Sequence, residues 1–247
     1  MITRARPARG RAGSRPPALW RAGSGRSAGP DAPESAFVRP GTVVVAGLAS
    51  AGLVRASLSA AAGSAQFYLL TAGLAATWTG AALTAGPPAA GPVRPGQLVR
   101  PVLTGAATFG LFYGIARVAR HWPVLDRAIR SVLSYVEEGS TVPVLITAGV
   151  NAVAEELYFR GAVWELTGDA RPLVATTAAY TASTAATGNL ALVLGGAATS
   201  VVFGAERARS GGVVAPAVAH VTWSLLMLTC LPPLFRAAAE PLTSPGS

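Results

Sequence analysis

The chain has 247 residues, 51% of them hydrophobic and only 13% charged, with a mean hydropathy of +0.45 and a formal charge of +9 at pH 7. A soluble domain carries about 25% charged residues, so the polar side chains needed to cover a water-soluble globule are missing, and the composition is that of a membrane protein. The pI near 11.1 would suit a nucleic-acid binder, but seven of the 20 basic residues, all arginine, crowd into one N-terminal stretch (Arg4, Arg6, Arg9, Arg11, Arg15, Arg21, Arg26) and make no stripe on a folded face. A single cysteine, Cys230, and two histidines exclude an internal disulfide and a conventional zinc cage.

Residues 1–40 are Arg, Pro, Gly, Ser and Ala with no sustained apolar run, and are expected to form a disordered tail because they bury too little surface to offset the entropy of ordering. Apolar runs follow at about Thr42–Ala62, Gln66–Gly86 and Pro101–Ala116, near the roughly 20 residues a spanning helix needs. From Arg117 to Ser140 arginines alternate with Trp122, Val124, Leu125, Ile129, Val132 and Leu133 at helical spacing, which predicts an amphipathic helix lying in the interface, with His121 as an interfacial residue. A fourth run covers Val142–Leu166. No charge occurs from Pro172 to Ala205, where Gly188 and Asn189 mark a break between two helices, and a last run extends from Gly212 to Phe235.

The expected fold is therefore an all-α polytopic bundle of about seven spanning helices plus one interfacial helix. Its expected parts are an N-terminal tail (1–40), N-terminal spans with the interfacial helix (41–141), a four-helix core (142–236) and a short C-terminal tail (237–247). Arginines at the helix ends (Arg94, Arg100, Arg171, Arg207, Arg209) fall on one side with the N-terminal tail, which the positive-inside rule places in the cytoplasm of a plasma-membrane protein. Arg117, Arg120, Arg127 and Arg130 fall on the other side.

The run NAVAEELYFRGAVWEL carries Glu155, Glu156 and Arg160 within six positions. At about 2.5–3.5 kcal/mol per charge at the bilayer centre, about 8–10 kcal/mol must be offset. Glu156 and Arg160 are four apart and can pair. Glu155 is turned about 100° away, towards Asn151, and is expected to stay unpaired, the situation of an intramembrane functional carboxylate; a structural network at a helix end is the alternative. Pro216, His220 and Ser224 share one face of the last helix, where a neutral imidazole beside a carboxylate would position or deprotonate a water.

These residues resemble the CAAX prenyl protease and bacteriocin-processing membrane proteases, the CPBP family, over about Val142 to Cys230. The first family motif, two glutamates, three residues and an arginine, is matched by Glu155, Glu156, Arg160 and Gly161; the last, a histidine after a small-residue stretch with Ala-Pro, by GGVVAPAVAH and His220. Two of the family's motifs depart from the pattern. Tyr180 and Thr184 stand where the family has Phe and His, and Ser224 stands where it has Asn or Asp.

The resemblance implies an intramembrane endopeptidase acting on a membrane-bound or lipidated peptide, with a divalent metal, zinc by preference, held by Glu155 and His220. Glu155 would be the general base, Glu156 a second acid or the partner of Arg160, and His220 a metal ligand or oxyanion stabiliser. Asn151, Tyr180, Thr184 and Ser224 would support them. The alternative is an inactive relative acting as a membrane scaffold or peptide-binding immunity protein. A proton-coupled carrier ranks last, because the Glu-Glu segment has no second copy of the kind that transporter repeats supply.

Overall fold

A computed structural model describes residues 40–236 apart from 92, 93 and 169; the two expected tails, 1–39 and 237–247, lie outside the described residues. Its helices are α1 (Pro40–Ser57), α2 (Ala65–Ala85), α3 (Pro95–Ala119), α4 (Pro123–Glu137), α5 (Thr141–Glu155), a π-helical segment (Glu156–Val163), α6 (Trp164–Thr167), α7 (Pro172–Ala185), α8 (Leu190–Ser210), α9 (Val214–Cys230) and α10 (Pro232–Arg236). No strand occurs among the described residues, and the chain is an all-α polytopic membrane protein.

Among the described residues, five helical stretches are long and apolar enough to cross a membrane: Pro40–Ser57, Gly96–Ala119, Thr141–Thr167, Leu190–Ser210 and Val214–Arg236. The 21 residues of α2 have the length of a span and no charge. With 14 residues, α7 is about 21 Å long, shorter than a hydrocarbon layer of about 30 Å. Burial is inverted relative to a soluble protein: Leu48 and Leu69 are 72% and 73% exposed, whereas Glu156 and Arg160 are 0% exposed. Apolar side chains cost nothing facing lipid, while each charge needs an internal partner.

Polar contacts define the two ends of the bundle. At one end the Tyr135 hydroxyl donates to the Ala60 carbonyl (3.0 Å), Asn189 Nδ2 donates to the Ala128 carbonyl (2.8 Å) and Arg120 donates to the Leu234 carbonyl (3.2 Å). Burial, and then the charge of Glu138, push the Tyr135 phenol above its ordinary pKa, so it remains a donor. At the other end Val213 and Val214 N–H donate to the carbonyls of Ala89 and Ala90 (2.9 and 3.2 Å). At the first end α4 packs against α5, α8 and α10.

Local signals explain the boundaries. Ser64 caps α2 by accepting from Phe67 N–H, and Asn189 caps α8 by accepting from Leu192 N–H, relieving donors that helix starts leave free. Gly188 and Gly211 take positive φ (69° and 72°), as a turn and a helix C-terminus require. Two expectations change. The third helix runs to Ala119, past the expected Ala116, and the amphipathic helix starts at Pro123 rather than Arg117, because Arg117 still continues an apolar helix whereas Trp122-Pro123 cannot.

Candidate active site

The glutamate pair lies where α5 changes from α to π geometry. Within the π segment the Trp164 N–H reaches back to Phe159 and Gly161 and skips Arg160, four residues before it. A π turn inserted in an α-helix is rare and recurs at functional sites. Five neighbours hold it. The Tyr158 hydroxyl donates to the Val43 carbonyl of α1 (2.6 Å), Trp78 of α2 meets Phe159 edge-on with ring centroids 6.0 Å apart, and Arg160 Nη2 donates to the carbonyl and hydroxyl of Ser200 on α8 (3.1 and 3.0 Å). On α9, His220 Nδ1 bonds Glu156 Oε1 (2.9 Å). The fifth neighbour is Pro88 in the loop after α2: a Cβ added at Gly161 would lie 2.8 Å from its ring, so a side chain there would push the loop away.

Two linked groups result. In the first, Glu156 Oε1 accepts from Arg160 Nη1 (3.1 Å) and bonds His220 Nδ1 (2.9 Å), so Glu156 neutralises Arg160 and orients the imidazole at once. His220 is 4% exposed and stacks on Phe203, with centroids 4.8 Å apart; its Nε2 has no hydrogen bond among the described residues. In the second, the Tyr180 hydroxyl donates to Glu155 Oε2 (2.5 Å). The Arg160 guanidinium lies 5.2 Å from the Tyr180 ring centroid and joins the two groups.

The expected Glu156–Arg160 pair is present, and so is the inward face of Pro216, His220 and Ser224, all buried. Glu155 is not left unpaired as expected, because Tyr180 reaches it from α7. Even so it is only half-buried and keeps Oε1 without a hydrogen bond among the described residues, whereas Glu156 is sealed with its Oε2 buried and unpartnered. Asn151 does not bond Glu155: its Nδ2 donates to the Thr147 carbonyl of its own helix (2.9 Å), and its buried Oδ1 is unpartnered. Thr184 donates to the Thr181 carbonyl (3.0 Å) and packs towards Gly196, so it takes no place in either group. Ser224 is buried and makes no side-chain hydrogen bond among the described residues.

The expected metal pair, Glu155 and His220, does not grow into a cage. Among the described residues no group of three or more His, Cys, Asp or Glu side chains could hold a metal ion, and Glu156 Oε1 is already committed to Arg160 and His220. A catalytic zinc site draws three protein ligands, so the residues present do not fit one.

Sequence reasoning missed Ser200 and misplaced Arg207, expected beside Arg209 as a flanking arginine. Arg207 is 6% exposed and turned inward. The signal was there: Ser200, Phe203 and Arg207 are spaced three and four apart, one face of a helix.

Residues 137–226 match the sequence profile described as "Type II CAAX prenyl endopeptidase Rce1-like". The matched segment is similar to that family over 90 of the 247 residues. It begins at the end of α4, contains α5, the π segment, α6, α7 and α8, and ends within α9, so every side chain of the two linked groups comes from it. At family level the Rce1-like match supports a CAAX-type intramembrane protease. No curated protein and no solved structure gives a significant match to the chain.

Proposed function

We propose that the protein is an intramembrane endopeptidase of the CAAX type, hydrolysing a peptide bond in a membrane-bound or lipidated substrate with a water activated at Glu155. One observation carries this reading: of the two adjacent carboxylates, each bonded through one oxygen, Glu156 is sealed with its Oε2 unpartnered, while Glu155 is anchored through Oε2 at a half-buried position where a water can reach Oε1. General-base catalysis needs a carboxylate fixed in place with a free lone pair within hydrogen-bond reach of the water.

In this reading Glu155 Oε1 takes a proton from the water as its oxygen adds to the scissile carbonyl carbon. His220, when protonated, brings the four side chains Glu155, Glu156, Arg160 and His220 to zero net charge, and its Nε2–H faces the developing oxyanion. Glu155 then delivers its proton to the leaving nitrogen as the C–N bond breaks, leaving a carboxylic acid and an amine. The site sits roughly 15 Å along the helix from the end that carries Arg171, Arg207 and Arg209. We place that end, with the N-terminus, at the cytoplasmic face of the plasma membrane.

The test uses the full chain in detergent micelles and a quenched fluorescent farnesylated peptide bearing a CAAX-type C-terminus. Wild type should cleave it, and Glu155→Ala and His220→Ala should each abolish cleavage with helical circular dichroism unchanged. No cleavage by wild type, or undiminished cleavage by both variants, refutes the reading. A second reading, a peptide-binding relative without activity, is favoured by Thr184, which brings no imidazole to the site. It expects the peptide to bind wild type and Glu155→Ala equally and to stay intact.

A further inference from the structure

We infer that Arg207 is a positioning residue for the proposed site: it holds the π turn that sets the glutamate pair against His220 and Tyr180. The inference rests on the endopeptidase reading only for its consequence on rate. Arg207 is nearly sealed on α8 and makes three contacts, all at the C-terminal end of the π segment. Its Nε donates to the Arg160 carbonyl (2.8 Å), its Nη2 pairs with Glu165 Oε1 (2.5 Å), and its guanidinium lies 5.4 Å from the Trp164 ring centroid.

The first contact is the informative one. In a continuous α-helix the Arg160 carbonyl would accept from Trp164 N–H, but that N–H is turned to Phe159 and Gly161. A carbonyl left open in the membrane interior is costly, and the Arg207 side chain occupies that place. It thereby favours the π form over the α form that Trp164 would otherwise restore. Arg160 is the residue so gripped, and its own side chain binds Glu156, which in turn binds His220. One guanidinium thus fixes the register of the whole chain of contacts without touching a reacting atom. Neighbouring Glu206 points the other way, accepting from Thr104 of α3 (2.8 Å), so the end of α8 is clamped on both sides and Arg207 has little freedom to follow a relaxed helix.

The chain contains two histidines, His121 and His220, so the full-length protein labelled with ¹⁵N-histidine in micelles gives separable imidazole signals. Arg207→Gln should move the His220 Nδ1 signal away from its carboxylate-bonded position and leave His121 in place. Glu165→Gln, which removes the ion pair but keeps the donor on the Arg160 carbonyl, should leave both unmoved. If Arg207→Gln does not fold, Arg207→Met decides, since it keeps an apolar stem but removes every donor from the Arg160 carbonyl, and His220 should again move. An unmoved His220 in the folded variant, or an equal displacement by Glu165→Gln, overturns the inference. With the farnesylated peptide, Arg207→Gln should lower kcat about 100-fold at unchanged KM. Should wild type cleave nothing, the endopeptidase reading falls while the His220 signal still judges Arg207.

Discussion

Removing the Glu156 carboxylate probes the interior of the bundle most directly. Glu156 and Arg160 are both 0% exposed, and the carboxylate is the sole anion bonded to Arg160 among the described residues. Glu156→Ala would leave a buried guanidinium with only the two Ser200 hydrogen bonds and the Tyr180 ring and His220 without its anchor. Breaking a buried pair from one side costs about 3–5 kcal/mol, whereas removing both charges can cost little. Arg160→Ala should therefore cost about as much as Glu156→Ala, and the double variant should cost no more than either single one, an interaction energy of about 3 kcal/mol or more in a double-mutant cycle. Reversible unfolding in mixed micelles, followed by circular dichroism, measures all four corners. A loss below about 1 kcal/mol for Glu156→Ala, the size of an exposed pair, or strict additivity would refute the view that the charges are tolerated only as a pair.

Tyr180→Phe removes the hydroxyl from Glu155 and keeps the ring against Phe159 and Arg160; stability should change by about 1 kcal/mol while cleavage of the farnesylated peptide falls, and full activity would show that Glu155 needs no anchor. At Gly212 an added Cβ would meet Ala90 and Gly91 backbone atoms, which no rotamer can relieve. Gly212→Ala should lose about 3 kcal/mol or more, the upper end for overpacking, measured by the same unfolding assay. Cleavage should survive dialysis against a strong chelator, because the described residues assemble no third metal ligand; loss of activity restored by zinc would contradict that.

The helical passes and the inward pairing of Glu156 with Arg160 were legible in the sequence because both depend on local spacing. Apolar length marks a span, and a four-residue step places two side chains on one face. Glu155 could not be read the same way. Its partner Tyr180 lies on a different helix, so no periodicity within either segment announces the contact. The π turn was hidden for a related reason: ELYFRGAV has no proline and only Gly161 as an irregular residue, and an α-helix would satisfy its backbone equally well. What selects the wider turn lies on the neighbours, in the Ser200 groups that take the Arg160 side chain and the Arg207 side chain that takes the Arg160 carbonyl. The two glutamates are adjacent in the chain but are divided in task by the helices around them. Glu156 holds Arg160 and His220 through Oε1 and its Oε2 is sealed without a partner, whereas the free oxygen of Glu155 sits at a half-buried position.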